Sequence, residues 1–329
     1  VTTWSVKSLV VFLIAGLSAG CVAKVDTYEE GLGPRELPKS WPSENGRPLR
    51  PVPMPSGEML MALPRETTAQ VLCQATPAER WKQLMGGEVA REVEHGESCH
   101  AVGLDSWVRM SLSRTPVADS TGLGKRKQVT VARRPATVVV GGSPSLVEVK
   151  LSDTDVRVLR IETSWTRVPP QNDQSEAMLL GLTESVLAGA FGPGPKLPAA
   201  DKRDVIERKT VEPGAGILDA PLPEISWKLC TQLQRALGVP AEAPEPYIDG
   251  KCTAIAADDT AVRVEHTAVL SELRGEPVAG RPASEDSGQL SVLLTDNGSR
   301  QGLRFSWLGG STTKLRDLAE TVVAPLLVS

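Results

Sequence analysis

The chain has 329 residues, a net charge of −4 and 23% charged residues. That length suits two modest domains, and that balance excludes the basic footprint of a nucleic-acid binder. Aromatic residues are only 4% of the chain, yet seven of them are tryptophan.

The longest apolar run comes first, in VTTWSVKSLVVFLIAGLSAGC. Lys7 supplies a positive charge, residues 9–16 an apolar core, and Ser18-Ala19-Gly20 a small-residue approach to Cys21. This order predicts an export signal over residues 1–20. The run is shorter than the roughly 20 apolar residues that span a bilayer. The stretch resembles the bacterial lipobox, with Ser18 where leucine is usual. The resemblance implies that the Cys21 thiol carries diacylglycerol, and two acyl chains hold a protein stably at a membrane.

Residues 21–64 are rich in Pro, Glu, Gly and Ser and carry no sustained hydrophobic period. They are expected to form a disordered tether. A first domain follows over 65–191. It opens on a helix bearing Cys73. A second helix is expected after Thr76-Pro77-Ala78-Glu79, read as a capping box with proline at the first helical position. Strands are predicted at 99–113, near 129–140, at 146–151 and at 156–165. A helix over 175–191 closes the domain, with Ser175 as its cap.

Residues 192–224 are again rich in Gly and Pro and are read as a linker. The second domain, 225–329, repeats the plan. A helix bears Cys230, and strands follow at 252–256, 262–270, 290–295 and 303–307. Asp296-Asn297-Gly298 marks a turn between the last two. A helix over 311–327 ends the chain, with Ser311 as its cap. The match is residue by residue in places. VLC (71–73) meets KLC (228–230), and Cys99-His100-Ala101-Val102 meets Cys252-Thr253-Ala254-Ile255. Trp165 and Trp307 each end a strand ahead of a helix and read as core packing. In the two terminal helices Leu179, Leu182 and Val186 meet Leu315, Leu318 and Val322, at the i, i+3, i+7 spacing of one helical face. The expected fold is therefore α+β: two tandem similar domains, each an antiparallel sheet with an N-terminal and a C-terminal helix.

The four cysteines after Cys21 suit a disulfide framework in an exported protein. Both repeats place one cysteine on the first helix and one at the first strand. The repeat therefore predicts Cys73–Cys99 and Cys230–Cys252.

The lipobox, the tether and the motif LC…C-x-A-[VI] resemble actinobacterial cell-surface lipoproteins of unknown function. Their α+β domain is similar to the extracellular sensor domains of some actinobacterial kinases. That group has no established catalytic residues, so the resemblance assigns none here.

Constellations that could carry chemistry are few. His95 and His100 beside Cys73 and Cys99 have the residue types of a zinc site. The second repeat keeps its cysteines but has Thr253 in place of His100, which favours bridges. Ser311-Thr-Thr-Lys314 matches S-x-x-K, but no K-T-G follows, and Ser175 in the first repeat is followed by Met178 where a lysine would stand. A nucleophilic triad would need one of three histidines, and His266 lies in a strand-like run. Lys125, Arg126, Lys127, Arg133 and Arg134 form the one basic cluster. It suits contact with anionic headgroups or wall polymers, or a solvated hairpin end.

The sequence thus points to a lipid-anchored, extracytoplasmic binding or scaffold protein of the bacterial envelope, without catalysis, cofactor, metal or nucleic acid. Its expected partners are the membrane, through the anchor, and an envelope protein, lipid or wall polymer. A hydrolase or transferase acting on envelope material is the alternative, and it requires interacting titratable groups in a pocket. A lipid or glycolipid carrier is another, and it requires an apolar cavity.

Overall fold

In the computed structural model the residues described are 42–44, 46–95, 97–113, 124–152, 157–165, 172–211, 216–256, 260–269, 273–295, 299–308 and 313–327. Alternation of apolar and polar residues gives the first half its sheet, because successive side chains point to opposite faces. Its strands are β1 (Gly46–Arg47), β2 (Ala90–Glu94), β3 (Ser98–Val102), β4 (Ser106–Ser113), β5 (Lys125–Val131), β6 (Arg134–Val140), β7 (Ser145–Lys150) and β8 (Val158–Trp165). They lie in the order β1-β2-β3-β4-β8-β7-β6-β5, antiparallel throughout. Val93, Cys99, Met110, Ile161, Val147 and Val138 form one row across its inner face. All of them are fully buried. Helices α1 (Arg65–Ala75) and α3 (Asn172–Ala190) cover that face, and α2 (Ala78–Met85) packs against α3.

The second half has α4 (Leu222–Leu237), β9 (Glu245–Pro246), β10 (Lys251–Ile255), β11 (Ala261–Ala268), β12 (Ala283–Asp286), β13 (Gln289–Leu293), β14 (Gln301–Leu308) and α5 (Thr313–Val323). Its antiparallel sheet runs β12-β13-β14-β11-β10-β9. Cys252, Val264, Phe305 and Leu290 form its inner row, all fully buried, under α4. Both halves belong to one compact unit, residues 37–329. Among the described residues no helix is long and apolar enough to cross a membrane.

Each half carries one disulfide from its first helix to a strand: Cys73–Cys99, spanning 26 residues, and Cys230–Cys252, spanning 22. These are the pairs the repeat predicts. Loops of that size stabilise by roughly 3–4 kcal/mol through the unfolded chain. Such bridges persist in an oxidising, extracytoplasmic environment.

Several local expectations are corrected. The strand expected over 99–113 divides at 103–105, where the Gly103 N–H donates to the Ser106 carbonyl at 2.9 Å. The run near 129–140 is a hairpin, with Ala132 and Arg133 turning at positive φ. A helix does restart after Thr76, but Pro77 is its cap and Thr76 makes no capping bond. Proline there already fixes the entry angle, so no side-chain cap is needed. Ser175 lies inside α3, which begins at Asn172, with Asp173 placing a negative charge in the first turn at the positive end of the helix dipole. Trp165 and Trp307 both pack on their cores. They are not at the same register, since Val108 faces Thr163 while Val262 faces Trp307. Trp165 is thus two residues further along the same face. Cys21, the signal over 1–20, Ser311 and the turn at 296–298 lie outside the described residues.

Candidate functional site

Two proline-rich straps build the site. The first comes from residues 48–63, which composition alone assigns to the tether. It ends in a 3-10 turn, Gly57–Ala62, that buries Leu60 and Met61. The second comes from residues 194–211 and 216–221 of the linker. The Glu58 N–H donates to the Pro195 carbonyl at 3.0 Å, and the Leu197 N–H donates to Glu58 Oε2 at 3.2 Å. Glycine lets the straps touch. A Cβ at Gly57, where φ is +64°, would stand 2.5 Å from the Gly194 carbonyl carbon.

Beneath the straps a polar network joins the two halves. Asp219 on the linker accepts both Arg50 Nη groups, at 2.6 and 2.7 Å. It also accepts the Thr67 hydroxyl of α1 at 2.5 Å and Gln301 Nε2 of β14 at 2.9 Å. Gln301 Nε2 lies 3.2 Å from Thr67 Oγ1, and its Oε1 lies 3.1 Å from His266 Nε2 on β11. Gln301 uses its amide toward Asp219, so the imidazole must donate to Oε1. Glu66, next to Thr67, pairs with Arg50 at 3.7 Å and accepts the Arg300 N–H at 3.4 Å.

The electrostatics follow. Burial alone would raise the Asp219 carboxyl, but hydrogen bonds from Arg50, Thr67 and Gln301 outweigh it and hold it below the usual carboxylate range. Burial works against the Arg50 charge, and Asp219 and Glu66 together more than compensate. Burial pushes His266 down to about 4, against the smaller opposing pulls of Gln301 and Asp219, so it is neutral at ordinary pH.

Above the network lies a cleft of about 610 Å³. This is within the range of small-molecule sites, roughly 300–1,000 Å³. The first strap gives it Pro53, Met54, Pro55 and Met59. The linker gives Lys196, Lys209, Leu218 and the edge of Asp219, and α4 gives Glu224, Trp227 and Lys228. Met54 is 45% exposed, which is unusual for so large an apolar side chain. Trp227 is anchored by its indole N–H, which donates to the Glu207 carbonyl at 2.9 Å. Lys209 Nζ sits 4.6 Å from the centre of that ring. Lys228 is almost fully buried; it bonds Glu224 at 2.8 Å and the Gly216 carbonyl at 3.0 Å.

The residues singled out by sequence fall elsewhere. Cys73 and Cys99 are bridged to each other, as the repeat favours, so neither can be a zinc thiolate. Among the described residues no group of three or more His, Cys, Asp or Glu could hold a metal. His95 is on the β2–β3 turn, His100 on the open face of the first sheet 3.4 Å from Glu92, and His266 in the seam. The structure does not bring the three together. Lys125, Arg126 and Lys127 lie on edge strand β5, where lysines protect an unpaired edge. Lys127 is bonded to Glu176 of α3 at 2.6 Å, and Arg134 to the Leu151 carbonyl. Lys125 and Arg133 lie at opposite ends of the hairpin, so the five form a line and not a converging patch.

Sequence reasoning missed the cleft and the seam. Arg50, Thr67, Asp219 and Gln301 are isolated polar residues far apart in the chain, with no motif to link them. Trp227, three residues before Cys230, was the one legible signal. No protein-family model, curated protein or solved structure matches this chain.

Proposed function

We propose that this chain is an exported, lipid-anchored binding protein of the bacterial envelope, and that it takes its ligand in the cleft between its two halves. The observation that carries this reading is the cleft itself. Its walls are mostly apolar, and both carboxylates that touch it are already committed. Asp219 accepts four hydrogen bonds, and Glu224 is bonded to Lys228. A carboxylate whose lone pairs are already filled by donors is a poor general base, because it must give up those bonds to take a proton. The arrangement favours holding a ligand over transforming one.

Anchoring at Cys21 belongs to the same reading. It is supported by the signal-like run before that cysteine and by two bridges suited to an oxidising compartment. So does tandem duplication. Read from opposite ends, β2-β3-β4-β8-β7-β6 and β9-β10-β11-β14-β13-β12 follow one another strand for strand. In both sheets the cysteine stands at the same place in the inner row, Cys99–Met110–Ile161–Val147 against Cys252–Val264–Phe305–Leu290.

Complementation of a deletion strain tests the function. Met54→Asp should abolish the cellular role, while His95→Ala, His100→Ala and Ser311→Ala should each retain it at normal surface abundance. Loss of the role in any of those three, with fold and abundance intact, would move the hydrolase or transferase reading ahead. For the anchor, Cys21→Ala should shift the protein from the membrane fraction to the medium or leave it as precursor.

A further inference from the structure

We infer that the ligand of the cleft is an amphipathic anion: an apolar body bearing one carboxylate or phosphate. This rests on the cleft being the binding site and adds the ligand's chemistry. The apolar half of the argument is the wall. Met54, Met59, Leu218 and Trp227, with prolines between them, present carbon surface that gains by covering, at about 25 cal/mol per Å². Met54 gains most, being 45% exposed. Methionine is also the side chain that best adapts to a flexible chain of methylenes.

The anionic half is a charge count. Four groups of full charge besides Asp219 face the cleft: Lys196, Lys209, Glu224 and Lys228. Glu224 and Lys228 neutralise each other at 2.8 Å, and Asp219 is neutralised by Arg50. Lys196 and Lys209 are left. Among the described residues neither ammonium is within ion-pair distance of a carboxylate. Both are exposed, at the rim of the cleft. Lys209 is not free to wander, since its ammonium rides on the Trp227 ring at 4.6 Å. An anionic head set between Lys196 and Lys209 would leave its apolar tail over Trp227 and the methionines. A neutral apolar ligand would leave both cations uncompensated, and a small polar anion would leave the carbon walls wet.

The test is calorimetric titration of the full chain carrying Cys21→Ser, so that no acyl group of its own competes. The probes are decanoate, decyl phosphate and, as a neutral match, decanol. We expect one site per chain for at least one anion, at least tenfold tighter than decanol. The preference between the two anions separates a fatty-acid head from a phospholipid-type head. Lys209→Ala and Lys196→Ala should each weaken the preferred anion about tenfold and leave decanol unchanged, and Met54→Asp should weaken all three. Equal affinity for decanol and the anions, or unchanged affinity in both lysine variants, would overturn the anionic assignment. No heat from any probe would overturn the amphipathic assignment altogether. The binding reading is judged apart from both outcomes, by whether the chain leaves its own cells with any ligand in the cleft.

Discussion

Asp219→Asn removes one charge from the seam and changes almost nothing else. Asp219 sits at φ 63°, a left-handed conformation that asparagine also tolerates, so backbone strain does not confound the result. The substitution replaces one acceptor oxygen with an amide that donates, facing Arg50, Thr67 or Gln301, all of which donate. It also leaves the Arg50 guanidinium with Glu66 at 3.7 Å as its remaining counter-charge. Breaking a buried pair from one side costs about 3–5 kcal/mol. The side chains of Arg50 and Asp219 are 14% and 10% exposed, which places the loss near the lower end, about 3 kcal/mol. At roughly 2–4 °C per kcal/mol for chains of 150–250 residues, Tm should fall by about 6–12 °C. Urea denaturation reads the same loss as a lower midpoint at constant slope. Arg50→Gln should cost a similar amount, and the double variant much less than the sum. A loss under about 0.5 kcal/mol for Asp219→Asn, or strict additivity with Arg50→Gln, would refute the seam as the element that joins the halves.

The other expectations concern single groups. His266 is held neutral in the folded chain with its pKa near 4, while an unfolded histidine titrates near 6.5. The unfolded state therefore takes the extra proton first, so stability should fall as pH drops from about 6.5 to 4, by up to about 1.4 kcal/mol per pH unit. His266→Gln should flatten that slope, and an unchanged slope would contradict the assignment. Asp219, with its depressed pKa, adds a second loss that begins below about pH 4 as the unfolded carboxyl protonates. Non-reducing peptide mapping should recover Cys73 with Cys99 and Cys230 with Cys252, and each Cys→Ala pair should cost about 3–4 kcal/mol; free thiols in exported protein would contradict this. Glu92 is fully buried and accepts the Ser43 N–H at 2.7 Å and its hydroxyl at 2.8 Å. Glu92→Ala should release that segment, and a glutamate-specific protease should then cut after Glu44 several-fold faster, whereas an unchanged rate would deny Glu92 that role. Gly57→Ala must push the two straps apart, since its Cβ would meet Gly194 at 2.5 Å. Its cost should exceed about 1 kcal/mol, since alanine at a positive φ costs more than the roughly 0.4–1 kcal/mol that the same change gains at a compatible site, and a smaller cost would place the contact elsewhere.

What the sequence made legible was the part written in local pattern. Leu179, Leu182 and Val186 marked a helix face, and all three are fully buried in α3. The two LC motifs and the cysteines that open the next strands predicted the bridges, because repetition removed the ambiguity that four cysteines otherwise leave. Short edge strands were invisible: Gly46–Arg47 and Glu245–Pro246 have two residues each and no period to detect. Residues 48–63 read as tether because four prolines and a glycine break any hydrophobic period. Yet Leu60, Met61 and Leu63 are buried, and tertiary packing decides where local composition cannot. The seam was illegible for the same reason. Thr67 and Gln301 meet across 234 positions, and nothing near either residue announces the other.

Native mass spectrometry of the full chain, gently extracted from its own cells, tests the central claim most directly. The account predicts one non-covalent small molecule per chain in the wild type, and at least a tenfold lower occupancy after Met54→Asp. Bare wild-type chains, or equal occupancy in the variant, would contradict a ligand site at the cleft.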